Sequence, residues 1–315
     1  MNLYGGLDFG GSSVKIGLVG EEGRIIARSI VEIDAGSGFK RIMTQVALSL
    51  ERLLGRTQRK GRLVSLGVGT PGFTDKESGV LVDGCRNIPS LQGHSVRGYL
   101  ERRFKVPVFA DNDANCAAAG ELLFGAGRRY RSFVMITIGT GIGGGIVLDG
   151  EVFKGSRGYA AELGHMCVDP NGPWCVCGNR GCFEQFSSGS AILRSYNERA
   201  EKRGIQPGRS ARQVIEKARK GNRLAIVTIR DSATVIAQAF GTLLNILNVE
   251  AFIIGGGVSL AGDILLDPIR ERLPDYCWPL LHGSVDIVQA ELSKDAGIIG
   301  AAAQALASGG RWNRL

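Results

Sequence analysis

The apolar positions at the start of the chain alternate between strand-like and helix-like spacing. Leu3 to Asp8, Val14 to Val19 and the alternating run Arg24 to Ile33 predict three strands joined by tight turns. Phe39 to Leu54 carries apolar residues at helical spacing and predicts an amphipathic helix. Leu63 to Val68 predicts the next strand. The chain is therefore expected to begin with a meander of three strands, followed by alternating helices and strands.

This alternation continues beyond residue 70. Gly79 to Val82 predicts part of a hairpin, His94 to Phe104 a helix, and Val106 to Ala110 a strand. A polar run from Asp111 to Asn115 follows that strand. We place a small α/β lobe over residues 1–112.

The second half of the chain begins in the same way as the first. Ser132 to Ile138 predicts a strand, Gly139 to Gly145 a glycine turn, Ile146 to Leu148 a strand, and Glu151 to Lys154 a third strand. The repeated order predicts two structurally related lobes, each presenting a glycine turn to one cleft. Residues 113–296 are assigned to the larger lobe, and an alanine-rich helix in 297–315 is expected to pack back on the first. The other predicted elements are helices near Ser190 to Lys202, Ser210 to Lys220 and Asn222 to Leu247, and strands at Ala251 to Ile254 and Val285 to Val288.

Composition narrows the class of protein. The 315 residues carry a formal net charge of +8, but the Lys and Arg residues are scattered among Glu, which argues against a nucleic-acid partner and suits an anionic small molecule. Seven cysteines and the absence of a basic-then-apolar leader predict a cytoplasmic location. The apolar stretch from Val235 to Val249 contains Gln238 and Asn245 and is expected to be too short for a membrane span.

One loop-rich segment contains a set of metal ligands. His165, Cys175, Cys177 and Cys182 have the number and chemistry of a closed tetrahedral zinc site, and Gly178 and Gly181 allow tight turns between them. Cys167 follows His165 too closely to be included. A disulfide or a cluster of buried thiols is the alternative, although a Cys-x-Cys pair rarely meets disulfide geometry. Because protein atoms fill all four positions, the zinc is expected to be structural.

Two glutamates flank this segment. Glu162 precedes His165, and Glu184 follows Cys182. A loop pinned by metal would place both carboxylates near each other, where they could accept hydrogen bonds from hydroxyl groups. The alternative is that both are solvated surface charges, which is the usual situation of Glu.

Three glycine runs could approach a nucleotide. The first comprises Gly10, Gly11, Ser12 and Ser13, flanked by Lys15 and by Asp8, which could attract a hydrated Mg²⁺. A simple hairpin is the alternative for that run. The second comprises Gly139, Thr140, Gly141 and Gly143, and the third, at Gly256 and Gly257, could make room for a nucleobase or ribose or could be a plain turn.

The polar run after the Val106 to Ala110 strand supplies a candidate base. Open α/β sheets place their sites at the carboxyl ends of parallel strands. One of Asp111, Asn112 and Asp113 is expected to cap the following helix, but three polar residues exceed what a cap requires. Asp113 is the candidate general base, with Asn112 as a hydrogen-bonding neighbour.

Together these motifs resemble those of the ROK family of sugar kinases and repressors, which have the actin-like, ribonuclease H-like ATPase fold. The resemblance covers nearly the whole chain. It is carried by Asp8-Phe-Gly-Gly-Ser-Ser-Val-Lys15, Asn112-Asp113, Gly139-Thr-Gly-Ile-Gly143, and above all Glu162-x-x-His165 with Cys175-x-Cys-Gly-x-x-Gly-Cys-x-Glu184. Two positions depart from the family pattern: Ser12-Ser13 stands where threonine is common, and Ala161 where glycine is common.

The resemblance implies roles for individual residues. Asp113 would be the catalytic base, zinc would order the sugar loop, and sugar hydroxyls would be held by Asn112, Glu162, His165 and Glu184. One ring nitrogen of His165 would bind zinc and the other could face the sugar. Gly72 and Asn87 match positions near the family's sugar pocket less specifically.

The expected activity is phosphorylation of the 6-hydroxyl of glucose, and of mannose as a second substrate, by Mg-ATP. Kinases of N-acetylglucosamine or N-acetylmannosamine, and a sugar-binding regulator without turnover, are the alternatives. Polyphosphate could replace ATP as the donor. A DNA-binding repressor is disfavoured, because the first strand begins within a few residues of Met1. The family resemblance also favours a homodimer.

Overall fold

The computed structural model describes residues 1–34 and 36–307, and within them it contains twelve strands and nine α-helices. The strands are β1 Asn2–Phe9, β2 Ser13–Val19, β3 Ile25–Glu32, β4 Arg62–Thr70, β5 Phe73–Thr74, β6 Leu81–Asp83, β7 Val108–Asn112, β8 Phe133–Ile138, β9 Ile142–Leu148, β10 Glu151–Val152, β11 Ala251–Gly255 and β12 Asp286–Gln289. The helices are α1 Phe39–Thr57, α2 Val96–Phe104, α3 Asp113–Phe124, α4 Glu184–Ser187, α5 Gly189–Glu201, α6 Ala211–Arg219, α7 Arg223–Leu247, α8 Asp263–Arg272 and α9 Ala296–Leu306.

The chain forms two compact units. The first comprises Met1–Arg128, Glu151–Ala161 and the residues from Glu291 onward, and the second comprises Arg129–Gly150 and Glu162–Ala290. The predicted boundary after residue 112 differs from this division, because α3 and the segment that begins at Glu151 belong to the first unit. The predicted C-terminal helix ends at Leu306, and residues 308–315 lie outside the described residues.

The sheet of the first unit has the strand order β3-β2-β1-β4-β7, in which β1, β2 and β3 pair antiparallel while β4 is parallel to β1 and β7. In the second unit the order β9-β8-β11-β12 repeats this arrangement, with β8 and β9 antiparallel and β11 parallel to β8 and β12. The predicted pair of related α/β lobes is therefore confirmed. In both units the first hairpin holds a glycine turn, at residues 10–12 and 139–141.

Close backbone approaches hold α9 in the first unit. A Cβ atom on Gly67 of β4 would lie 1.6 Å from the carbonyl oxygen of Ala301, and one on Gly300 would lie 2.2 Å from the carbonyl oxygen of Cys116 in α3. Only glycine permits these approaches. The buried carboxylate of Glu121 also accepts N–H groups from Ala126 and Leu292, at 2.8 and 2.9 Å. These contacts place α3 in the first unit.

Helix α7 corrects one expectation from the sequence. At 25 residues it is long and apolar enough to cross a membrane by length and composition, whereas the stretch from Val235 was expected to be too short. However, 61% of its most apolar window is buried inside the protein, as in the core helix of a soluble protein. Phe240 of this helix stacks on Phe252 of β11 with ring centroids 4.0 Å apart. The burial and stacking explain its apolar sequence through core packing.

Candidate active site and metal centre

The four predicted metal ligands lie together in the second unit. The ligand atoms of His165, Cys175, Cys177 and Cys182 are all within 4.8 Å of one another. Cys175 Sγ lies 3.6 Å from His165 Nδ1, and Cys177 Sγ lies 3.6 Å from Cys182 Sγ. Ligands on a tetrahedron around zinc, with bonds of about 2.3 Å to sulfur and about 2.0 Å to nitrogen, are separated by about 3.5 to 3.8 Å. The cluster therefore fits a closed zinc site, and its cysteines form no disulfide.

Two glycines shape the loop around this cluster. Gly178 and Gly181 have φ of 93° and 68°, in the left-handed region that other residues rarely adopt. The Gly178 N–H donates to the Cys175 carbonyl at 3.0 Å, closing the turn that contains Cys177. At Gly181 a Cβ atom would lie 1.6 Å from the Asp169 carbonyl oxygen. The turns predicted at both positions are present.

Electrostatics inside the cluster favour a bound cation. Burial raises the pKa of Cys182 to about 12, and the neighbouring sulfurs of Cys177 and Cys175 add to the effect. Several thiolates this close together repel one another unless a metal ion lies between them. The exposed Cys167 is not one of the four clustered ligands.

The two predicted sugar-binding glutamates interact electrostatically. Although Glu162 is exposed, partial desolvation of its carboxyl raises the pKa, while His165 lowers it and the Glu184 carboxylate raises it further. His165 lies in a short 3₁₀ turn that begins just after Glu162, and Glu184 is the first residue of α4, two residues after Cys182. In the sequence the two carboxylates therefore flank the metal ligands, and Glu162 lies close enough to His165 and Glu184 to interact with both.

Glu184 also contacts the second glycine turn. Its Oε2 accepts the backbone N–H of Ile142 at 2.8 Å, and a Cβ atom on Gly141 would lie 2.3 Å from the same oxygen. The turn is held further by Gly189, whose N–H donates to the Gly139 carbonyl at 2.8 Å, and by the Ser190 hydroxyl, which donates to the Thr140 carbonyl at 2.9 Å. The hydrogen bond between Ile142 and Glu184 could not be predicted from the sequence, because the two residues are 42 positions apart.

The third glycine run lies beside the second turn. Gly256 has a φ of 82°, and a Cβ atom there would lie 2.5 Å from the carbonyl oxygen of Ile138 at the end of β8. A Cβ atom on Gly257 or on Gly139 would meet nothing within 4 Å. Gly143, by contrast, lies within β9 opposite Thr137. Gly256 is thus required for close packing, whereas Gly139 and Gly257 border open space.

The first glycine turn carries its own charges. Lys15 Nζ lies 3.3 Å from Asp8 Oδ2, and the two residues face each other across the β1–β2 pair. The Gly10 N–H donates to the Ser13 carbonyl at 2.9 Å, and Ser12 at the tip is exposed. Gly10, Gly11, Gly139 and Gly141 all lack a positive φ, so none of them is required for a left-handed turn. Gly11 and Gly141 instead allow close approach, because an added Cβ would lie 3.1 and 2.3 Å from Asn87 and Glu184.

Asn112 and Asp113 stand at the junction of β7 and α3. Asn112 is the N-cap of α3, because its Oδ1 accepts the Ala114 N–H at 2.9 Å. The sequence predicted a cap at one of Asp111, Asn112 and Asp113. Its Nδ2 donates to the carbonyl of Gly72 at 3.3 Å. Asp113 is the first residue of the helix and is exposed, and its Oδ1 also accepts the Ala114 N–H, at 2.8 Å.

Gly72 and Asn87 also lie in the first unit. Gly72 has a φ of 81° and packs so closely that a Cβ atom would lie 2.2 Å from the Asp83 carbonyl. Asn87 is exposed, and its Cβ would lie 3.1 Å from a Cβ added to Gly11. The predicted residues therefore fall into two groups. Glu162, His165 and Glu184 come together in the second unit, while Gly72 contacts Asn112 and Asn87 contacts Gly11 in the first.

Comparison with known proteins places this arrangement in a family. The profile of the ROK family matches residues 4–308 of the chain. The chain belongs to the ROK family. The resemblance noted from the glycine and cysteine motifs is thereby confirmed.

Several ROK-family proteins are similar to this chain over nearly its whole length. A glucokinase from Thermotoga maritima is 37% identical over 307 residues, which cover 94% of this chain and 95% of that protein. The crystal structure of a ROK family glucokinase from Streptomyces griseus in complex with glucose and AMPPNP matches with a TM-score of 0.78 at 31% identity, covering 96% of this chain and 99% of that one. The ROK hexokinase from Thermus thermophilus matches with a TM-score of 0.82 at 30% identity, covering 97% and 98%.

Proposed function

We propose that this ROK-family chain is an ATP-dependent hexose kinase that phosphorylates the 6-hydroxyl of glucose and accepts mannose as a second substrate. The observation that carries the proposal lies within the second unit. There Glu184 follows the last cysteine of the metal cluster by two residues, and its carboxylate accepts the N–H of Ile142, the residue after the second glycine turn. A carboxylate suited to sugar hydroxyls thus contacts a turn suited to phosphates, which is what phosphoryl transfer to a sugar requires.

In this proposal the general base is Asp113, a residue of the first unit. Asp113 accepts the proton of the 6-hydroxyl as the sugar oxygen bonds to the γ-phosphorus and the bond from that phosphorus to the β,γ-bridging oxygen breaks. The proton then passes to solvent and ADP leaves. The position of Asp113 as an exposed carboxylate at the carboxyl end of β7 supports this role.

The other residues bind and orient. Sugar hydroxyls are assigned to Glu162, Asn112, Glu184 Oε1 and His165 Nε2. The Nε2 atom is chosen for His165 because its Nδ1 lies in the cysteine cluster. Further sugar-pocket positions are Gly72 and Asn87. N–H groups and hydroxyls of both glycine turns would hold the phosphates, and Asp8 would hold the hydrated Mg²⁺ that accompanies ATP. Gly257, which borders open space, would leave room for the nucleoside, and Gly256 would hold this run close to the end of β8.

Zinc bound by His165, Cys175, Cys177 and Cys182 would supply no reaction chemistry, since protein ligands fill its coordination shell. The chain's own contribution is to hold Glu162 and Glu184 in fixed positions. We also expect the protein to act in the cytoplasm as a homodimer, which light scattering on the purified protein would check.

The deciding experiment measures ADP release from Mg-ATP with glucose, mannose, fructose, N-acetylglucosamine and N-acetylmannosamine, with zinc content determined on the same sample. The proposal expects the highest kcat/KM with glucose and one zinc per chain. Preference for an N-acetyl sugar would change the proposed substrate and leave the proposed mechanism unchanged. Absence of turnover with every sugar, with ATP and with polyphosphate, would contradict the kinase proposal in favour of a sugar-binding regulator.

A further inference from the structure

A buried carboxylate holds the turn that carries Asn112 and Asp113. Asp111, the penultimate residue of β7, has a side chain that is only 7% exposed. Its Oδ1 accepts the backbone N–H of Asn112 at 2.8 Å and the side-chain amide of Asn115 at 2.9 Å. The position of Asn112 therefore depends on where the Asp111 carboxylate is held.

Two side chains from remote parts of the first unit hold the other oxygen. Lys154 Nζ lies 2.7 Å from Asp111 Oδ2, and Gln304 Nε2 of α9 donates to the same oxygen at 3.3 Å. Lys154 Nζ also donates to Gln304 Oε1 at 3.4 Å, so the three side chains form a closed ring of contacts. Gln304 is 6% exposed. Each Asp111 oxygen thus has two donors.

A purely structural explanation of this ring is weak on energetic grounds. The Lys154 side chain is 36% exposed, so solvent screens its attraction for Asp111 and the ion pair adds little to stability. Helix α3 does not need the pair for its cap, which Asn112 already provides. What the ring does supply is a fixed location for residues 112 and 113.

We propose that Lys154 and Gln304 are positioning residues for phosphoryl transfer: by fixing Asp111 they set where the side chains of Asn112 and Asp113 stand. This inference rests on the proposed kinase function and adds to it two residues that act through Asp111. A reacting oxygen must lie within about 3 to 3.5 Å of its partner, and a misplacement of about 1 Å can cost about a hundredfold in rate. Loss of either residue therefore lowers kcat more than it raises KM.

The structure also offers a chemical test of Lys154. A cavity of about 190 Å³ adjoins its side chain and is lined in addition by Thr74, Arg97, Phe109 and Gln304. Truncation of Lys154 to alanine would enlarge this space. A small alkylammonium ion could then enter and donate to Asp111 in place of the missing ammonium group.

The experiment compares Lys154→Ala, Lys154→Arg and the surface control Lys40→Ala in the full-length protein. The inference expects Lys154→Ala to lose about tenfold to a hundredfold in kcat. The KM for sugar should rise by a smaller factor, because Asn112 is also displaced, and the KM for ATP should change less than about threefold. Propylammonium should restore kcat and tetramethylammonium should not. Lys154→Arg should retain most activity, and Lys40, an exposed residue of α1, should tolerate alanine.

Gln304→Leu and a double-mutant cycle test the rest of the ring. Gln304→Leu should lower kcat in the same selective way. Lys154→Met combined with Asp111→Asn should cost no more than the larger single effect, because the two substitutions remove one interaction. Normal kcat in Lys154→Ala, with an active wild type, would overturn the inference and leave the kinase function standing.

A second readout does not depend on turnover. Hydrogen exchange of the backbone amides of Asn112 and Ala114 should accelerate in Lys154→Met and stay unchanged in Lys40→Met. If the wild-type protein phosphorylates no sugar, the kinase proposal fails, and this exchange measurement still decides whether Lys154 fixes the turn. Unchanged exchange in Lys154→Met would overturn the inference whatever the activity.

Discussion

The two glycine turns follow equivalent strands of two related sheets, yet they are supported in different ways. In the first unit Asp8 and Lys15 face each other across the hairpin with 3.3 Å between carboxylate and ammonium. In the second unit the pair at the hairpin is Thr137 and Gly143, which carries no charge. The carboxylate there is Glu184, which comes from the cysteine segment and accepts the Ile142 N–H.

Two turns with the same backbone arrangement therefore differ in the ligands that they suit. A turn with its own carboxylate can attract a hydrated cation, whereas an uncharged turn can approach a phosphate through its N–H groups. The carboxylate that contacts the second turn, Glu184, lies two residues after Cys182 of the metal cluster. In the proposed function the first unit supplies the base, Asp113, and the second unit supplies the carboxylates of Glu162 and Glu184. Substitution of Asp113 should therefore act mainly on kcat, and substitution of the metal ligands mainly on the KM for sugar.

The largest expected effect tests the first half of that division. Asp113→Asn should lower kcat about a hundredfold or more, because the amide cannot accept the hydroxyl proton. Folding and sugar binding should stay near normal, since Asn can still accept the Ala114 N–H that Asp113 accepts at 2.8 Å. Steady-state kinetics, with sugar binding followed by calorimetry, would measure both quantities.

Asp263 provides a matched control for this substitution. It is the first residue of α8, as Asp113 is of α3, and it is exposed. Asp263→Asn should leave kcat unchanged. Near-normal turnover in Asp113→Asn would remove Asp113 from its assigned role and break the division between the two units.

The next largest effect concerns the metal cluster. Cys177→Ser should reduce the zinc content from one per chain to none and raise the KM for glucose about tenfold or more, because Glu162 and Glu184 lose their support. The KM for ATP should change less. Elemental analysis and kinetics on one preparation would measure these values.

Cys167→Ser is the control for a general effect of cysteine replacement in this loop. Cys167 is exposed, lies two residues after His165, and is not among the clustered ligands. This variant should keep both zinc and sugar affinity. If Cys177→Ser also keeps both, the structural-metal proposal is wrong.

A smaller effect separates two glycines of the second turn. Gly141→Ala should raise the KM for glucose, because its Cβ would lie 2.3 Å from Glu184 Oε2 and the carboxylate would have to move. The stability loss should be that of one hydrogen bond, about 0.5 to 1.5 kcal/mol, since Glu184 would no longer accept the Ile142 N–H. Gly139→Ala meets nothing within 4 Å, so its stability should change little while the KM for ATP rises. Thermal denaturation and kinetics would distinguish the two. Equal destabilisation would argue against the Glu184 contact.

Local patterns could be predicted from the sequence, and contacts between distant segments could not. The metal ligands fall within 18 residues, and glycines with positive φ stand at 178 and 181, so spacing alone indicates the site. The ring around Asp111 depends on Gln304, which is 193 residues away, and no periodicity relates the two. Helix α8, with Pro268 inside it, likewise has no counterpart among the predicted helices.

The smallest expected effect concerns Ala161, the residue before Glu162. Its φ is 70°, and this left-handed conformation costs a non-glycine residue about 1 to 2 kcal/mol. Ala161→Gly should remove that strain. The greater freedom of glycine in the unfolded chain should lower the stability by about 0.4 to 1 kcal/mol. We expect a net gain of about 0.5 to 1 kcal/mol in unfolding free energy. Ala160→Gly, at a residue with ordinary backbone angles, should instead lose a similar amount. Denaturant titration of both variants gives the comparison, and a loss of stability in both would show that residue 161 is not strained.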